Sequence, residues 1–137
     1  MKKRNTPGEK ISVRRPCIRI LKQLEAYGAF SHFDLFYWIC PPDYGKVTLP
    51  QAKSLKEDGY HKGVFDLNII ACKKDVTQVY LVEFKYKNNG YTSEQKEIAD
   101  KAKKTDIVTF KIYSAEEFQK FLFDRKLIDS NKFHLTI

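Results

Sequence analysis

Asp66, Glu83 and Lys85 are the residues of this chain whose types and spacing point most directly to chemistry. Side chains alternate across a strand. In residues 64–72 that places Phe65, Leu67, Ile69 and Ala71 on one face, with Asp66 and Asn68 on the other. In residues 78–86 it places Tyr80, Val82, Phe84 and Tyr86 on one face, with Val79, Leu81, Glu83 and Lys85 opposite. Pairing of the two segments would bring Asp66, Glu83 and Lys85 together near one end of a sheet. Ionised groups on interior strands are costly unless paired or bound to a metal. Two neighbouring carboxylates repel, and a divalent cation removes that repulsion. A structural ion pair, with Lys85 balancing Asp66 or Glu83, is the other reading these residues allow.

Gln95 is a fourth member of this set. Thr92-Ser93-Glu94-Gln95 has the form of a helix capping box. Gln95 shares a helical face with Ile98, Ala99 and Ala102, which turns it toward the sheet. Its position in the box gives it a capping task, alone or together with a place beside the acids.

The elements that must hold these residues follow from pattern. A helix is expected over residues 14–27, with Pro16 in its first turn and Cys17, Ile20, Leu21, Leu24 and Tyr27 as its apolar stripe. Gly28 stops it. The aromatic-rich segment 30–40 reads as a strand, and Pro41-Pro42-Asp43-Tyr44-Gly45 breaks it. A short helix over 50–57, strands over 64–72 and 78–86, a helix over 92–104, a strand over 107–113 and a helix capped by Ser114 and Glu117 complete the order. Residues 133–137 would add an edge strand. The pattern α-β-α-β-β-α-β-α predicts an α/β fold with a mixed central sheet flanked by helices.

The chain has 137 residues, 42% of them hydrophobic and 31% charged, which describes one globular core and excludes a largely disordered chain. Residues 1–10 read as a basic flexible arm and residues 11–137 as a single domain. Met1-Lys2-Lys3-Arg4 is followed by polar residues where a secretory signal has its apolar core, and no apolar run reaches membrane-spanning length. The expectation is a cytoplasmic protein. Cys17, Cys40 and Cys72 are too few and too scattered for a Cys-based zinc site, and their apolar neighbours predict buried packing residues. Twenty-five Lys and Arg against seventeen Asp and Glu give a net charge of +8, which favours a polyanionic partner. No Gly-rich phosphate loop is present, which argues against an ATP-driven mechanism.

Gly63-Val64-Phe65-Asp66-Leu67, then Val82-Glu83-Phe84-Lys85, then Gln95, resemble the PD-(D/E)XK nuclease superfamily, and within it the small standalone VRR-NUC domains of phages and bacteria. Ala52, Leu55, Gly59 and Gly63 are similar to that family's approach to its metal-binding Asp, and the likeness covers residues 14–123. The resemblance implies a restriction-endonuclease-like αβββαβ core and a metal-dependent DNA endonuclease in a bacterial or phage-infected cell. Asp66 and Glu83, aided by the backbone carbonyl of Phe84, would bind Mg²⁺ or Mn²⁺. Lys85 would orient or activate the attacking water, and Gln95 would support the water on the metal or the nearby strand. A hard cation held by carboxylates suits phosphodiester hydrolysis.

Two departures from the family stand out. Phe65 occupies the place of the usual Pro, and no acid falls at the expected place on the first helix, where Ser12 or Val13 stands. Glu9, with Glu25 in reserve, would complete the metal shell. Loss of that acid makes a catalytically weak or inactive nucleic-acid-binding module the alternative function. His61 and Lys62 before Gly63, and Lys87 and Asn88 after Lys85, are placed for DNA contacts; a solvated loop and a plain turn are the simpler readings. His32 and His134 read as structural. The small relatives further imply a homodimer acting on branched DNA such as a Holliday junction; residues 30–38 and 133–137 offer a surface for such pairing, and packing of both within one subunit is the other reading.

Overall fold

The computed structural model describes residues 10–28, 30, 34–40, 49–57, 63–73 and 76–128. The chain enters through a π-helical turn, Lys10–Arg14, and continues as α1, Arg15–Ala26. Strand β1 is Asp34–Ile39 and helix α2 is Leu49–Glu57. A hairpin of β2, Leu67–Lys73, and β3, Val76–Phe84, leads to helix α3, Ser93–Ala102. Strand β4, Val108–Ile112, and helix α4, Ala115–Asp124, complete the order. This is the α/β fold expected from the sequence, with a mixed sheet compatible with an αβββαβ core. Every element expected between residues 14 and 124 is present, with ends moved by a few residues. The proposed edge strand over 133–137 lies outside the described residues.

The sheet order is β1-β2-β3-β4. β1 and β2 are antiparallel, β2 and β3 are antiparallel, and β3 and β4 run parallel with α3 as the crossover between them. Residues directly opposite one another share a face of a sheet. Leu67, Ile69 and Ala71 of β2 therefore face the same way as Tyr80, Val82 and Phe84 of β3. All six are buried with Cys17, Leu21 and Leu24 of α1 and Phe118, Phe121 and Leu122 of α4. Edge-on ring contacts of Phe84 with Phe118 and Tyr80 with Phe121 each add about 0.5–1.5 kcal/mol beyond area burial. The opposite face carries Glu83 and, beside it on β4, Lys111. The core thus fills one face of the sheet, while the other carries Glu83 and Lys111 at one end and apolar residues such as Phe36, Trp38, Ile70 and Leu81 elsewhere.

Local differences have local causes. Tyr27 is not part of the α1 stripe: the helix ends at Ala26, the backbone turns at Tyr27, and its ring is 69% exposed. Only Cys17 of the cysteines is fully buried; Cys40 and Cys72 are half-buried, and all three are free thiols. The capping box of α3 is complete, with Gln95 N–H donating to Thr92 Oγ1 and Thr92 N–H donating to Gln95 Oε1. That of α4 closes on one side: Ser114 Oγ accepts from Glu117 N–H, whereas Glu117 Oε1 accepts from Tyr113 N–H instead of the cap residue's own.

Gly63 is required by its surroundings. Its φ is +87°, and a Cβ there would lie 2.8 Å from the backbone carbon of Glu94 in the first turn of α3. The missing side chain lets the approach to β2 run against the helix that carries Gln95. Gly63→Ala should lower stability by about 2 kcal/mol or more, from the left-handed conformation and the clash together. Gly90→Ala, at a site with nothing within 4 Å, should leave the melting temperature unchanged in the same thermal denaturation series.

Candidate active site

The antiparallel hairpin explains how residues far apart in sequence meet. Leu67 pairs with Val82, so the bend at Asp66 lies beside Glu83, and Lys85 follows directly after the end of β3. Asp66 N–H donates to Glu83 Oε1 at 3.0 Å, and Phe84 N–H donates to Asp66 Oδ2 at 3.0 Å. These reciprocal bonds lace the two acids to each other's backbone. Lys85 Nζ lies 3.4 Å from Glu83 Oε2 and donates to Gln95 Oε1 at 3.1 Å. Asp66, Glu83, Lys85 and Gln95 are 8%, 5%, 7% and 0% exposed. Gln95 therefore caps its helix and holds Lys85 with the same oxygen. Its Nε2 is buried and within normal hydrogen-bond distance of no acceptor among the described residues, so it acts on the Glu83 carboxylate from beyond that distance.

Sequence reasoning missed a fifth member, Arg14. It is 4% exposed, and its Nη1 donates to Asp66 Oδ1 at 2.8 Å. Its Nη2 donates to the carbonyl of Cys40, whose own N–H donates to the Asp66 carbonyl at 2.8 Å. The π-helical turn ends at Arg14, so the guanidinium enters the site from the start of the first helix. Its sign is opposite to the acid expected near there. A signal for it existed: Arg14, Cys17 and Leu21 fall at i, i+3 and i+7, which puts a cation on the apolar stripe. A charge on that stripe needs a partner.

The charges around Glu83 set its ionisation. Burial first, and then the charge of Asp66, push its carboxyl from 4.5 up to about 7, while Lys85, the Gln95 side chain and the Asp66 backbone N–H pull it partly back. The site therefore holds Glu83 well above the usual carboxylate range. That is the ordinary consequence of two carboxylates sharing a buried place.

The donor set can be tested against the expected cation. Two carboxylates are hard oxygen ligands, and a Mg²⁺-type ion is commonly held by one or two carboxylates while keeping its waters. Asp66 and Glu83 fit that requirement once Arg14 leaves Asp66 Oδ1. Phe84, whose carbonyl is the third expected donor, ends β3 between Glu83 and Lys85. A third acid is not brought in: among the described residues no group of three or more His, Cys, Asp and Glu side chains is placed to hold a metal ion. Glu25 is exposed at the far end of α1, where Tyr37 Oη donates to it at 3.4 Å, so the structure does not bring it to the acids. Glu9, His61, Lys62, His32 and His134 lie outside the described residues. Lys87 and Asn88 are exposed in the turn after β3, with Lys87 at φ 55° and its ammonium over the Tyr86 ring.

A cleft of about 310 Å³ adjoins the site between α3 and β4, lined in part by Tyr91, Lys96, Lys103 and Lys111. Tyr91 connects the two places. Its ring packs 5.3 Å from that of buried Phe65, the neighbour of Asp66, and Lys111 Nζ sits 4.8 Å above its centre. Periodicity alone could not find this cleft, because its lysines are spread over two elements.

Comparison with known protein families, with curated proteins and with solved structures returns no match. No helix among the described residues is long and apolar enough to cross a membrane.

Proposed function

We propose that the protein is a metal-dependent DNA endonuclease of the PD-(D/E)XK type, with Asp66, Glu83, Lys85 and Gln95 as its active site. The observation that carries this reading is the convergence of those four buried polar side chains at the ends of β2 and β3 and the start of α3. Two buried acids laced together, beside a lysine, are an expensive arrangement for a purely structural purpose. Asp66, Glu83 and the Phe84 carbonyl would hold Mg²⁺ or Mn²⁺, which when bound supplies neutralising charge and an activated water. Lys85 places its ammonium against the end of the Glu83 carboxylate, where it can meet a phosphate oxygen. Gln95 fixes Lys85 in that position through a bond that is itself fixed by the helix cap. Three lysines against one acid, Asp100, in the neighbouring cleft and the net charge of +8 favour a polyanionic strand running past Tyr91.

The substrate preference we infer is branched DNA, cut by a homodimer. One chain carries one such site, and two symmetric nicks in a junction need the site presented twice. Phe36 and Trp38, 53% and 49% exposed on the edge strand β1, provide an apolar surface for pairing.

The Arg14–Asp66 ion pair favours a second reading, a nuclease-fold module that binds nucleic acid without cutting it, since the guanidinium supplies charge that a cation would otherwise bring. One experiment separates the two. A four-way junction and a linear duplex are incubated in competition with the protein and Mg²⁺, Mn²⁺ or EDTA, and the protein's mass is measured by light scattering. The nuclease reading expects cleavage with either ion and none in EDTA, preference for the junction, and a mass twice the 16.1 kDa of one chain. Binding without cleavage under every condition selects the module, and a 16.1 kDa particle cutting both substrates equally removes the dimeric junction reading.

A further inference from the structure

Arg14 has no task in the hydrolytic reading, yet it is built into the site. Its guanidinium forks between Asp66 Oδ1 and the Cys40 carbonyl, and it is almost completely buried. Asp66 Oδ2 is already occupied by the Phe84 N–H. A divalent ion seeking Asp66 therefore meets a carboxylate whose remaining oxygen faces another cation. Like charges held this close in a buried place repel strongly. Either Asp66 takes no ion, or Arg14 changes partner when one arrives.

A displaced guanidinium needs an anion, because a buried cation left alone is the costly outcome. A phosphodiester provides one. Its two unbridged oxygens match the planar fork of Arg as well as a carboxylate does, whereas the point charge of a lysine would not. The exchange also leaves each charge paired: Asp66 passes to the ion, and Arg14 passes to the phosphate.

We propose that Arg14 is a partner-exchanging phosphate ligand, which seals Asp66 in the free protein and moves to a phosphate oxygen of the bound nucleic acid strand when a divalent ion takes its place. This rests on the nuclease reading above. It assigns the start of the first helix a cationic role in substrate binding where an acidic metal ligand was expected. It also makes the free protein a poor binder of divalent ions until nucleic acid is present.

The test measures Mn²⁺ alone, by the paramagnetic resonance of the free ion, and separately the single-turnover cleavage of a duplex at saturating Mn²⁺. Arg14→Gln should bind Mn²⁺ about tenfold more tightly than wild type with no DNA present, because the competing charge is gone. It should cleave about 100-fold more slowly, because the phosphate has lost its fork. Arg14→Lys, which keeps the charge and loses the fork, should bind Mn²⁺ like wild type and still cleave slowly; it serves as the test if the glutamine variant fails to fold. An Arg14 that only props the structure would lower ion affinity and cleavage together, or change neither, and either result in a wild-type protein that binds and cuts overturns this role alone. A wild-type protein that does not cleave the duplex at saturating Mn²⁺, with variants that bind no Mn²⁺ either, overturns the nuclease reading, and this role with it.

Discussion

Replacing Asp66 with asparagine should reduce DNA cleavage by about 10³-fold, close to 4 kcal/mol of activation barrier, while the protein stays folded and keeps its affinity for DNA. Asparagine preserves the shape of the side chain and retains an oxygen to accept a hydrogen bond from Arg14 or Phe84. It removes the charge that a cation requires. DNA affinity survives because Lys and Arg contacts to phosphates supply most of it, and the chain keeps a large excess of them. Alanine is a poorer probe at this position. Either change leaves the buried Arg14 charge without its counter-ion, which costs up to about 3–5 kcal/mol, but alanine also leaves both Arg14 Nη1 and the Phe84 N–H without an acceptor. Cleavage and electrophoretic binding assays on the asparagine variant, with a melting curve as control, decide the matter. A variant that cuts at the wild-type rate contradicts the assignment of Asp66.

The second large effect is on stability and concerns Glu83. In metal-free protein its carboxyl is raised to about 7 from 4.5, chiefly by burial and then by Asp66. A raised acid binds its proton more tightly in the folded state than in the unfolded one. Its contribution is therefore fully present below 4.5 and is lost as pH rises through 7. Over that span the loss is roughly 3 kcal/mol, enough to lower the melting temperature by about 10 °C in a chain of this size. Melting curves in EDTA from pH 5 to pH 8 should show this decline in wild type. Glu83→Gln cannot ionise and should show a much flatter profile. Equal slopes in the two proteins would mean that Glu83 ionises as an ordinary exposed acid.

The parts of this site that could be read from sequence are those governed by short-range rules. Alternation on β2 and β3 separates Leu67, Ile69, Tyr80 and Val82 from Asp66 and Glu83, and the hairpin then brings the two acids together. The Thr92 capping box fixes the start of α3 and so the direction of Gln95. Arg14 was not legible in the same way. Its partner Asp66 is 52 residues away, and no local pattern states which buried acid a buried cation will meet. Pro16 in the first turn drew the helix start to the right place, but the π-helical turn before it, which ends at Arg14, has no marker in the sequence. β1 was readable as a strand and not as an edge. Its aromatic residues lie on both faces, so Leu35 and Tyr37 pack on the core while Phe36 and Trp38 remain open, and alternation of hydrophobicity gives no sign of which is which.

The central claim is that the two laced acids form a centre for a divalent ion. Counting bound Mn²⁺ in the presence of a DNA duplex, for wild type and for Glu83→Gln at equal protein concentration, tests it most directly. The account predicts at least one ion held per wild-type chain and a marked loss of binding in the variant. A wild-type protein that adds no bound Mn²⁺ to that held by the duplex alone, or a variant that binds as many ions as tightly, contradicts it.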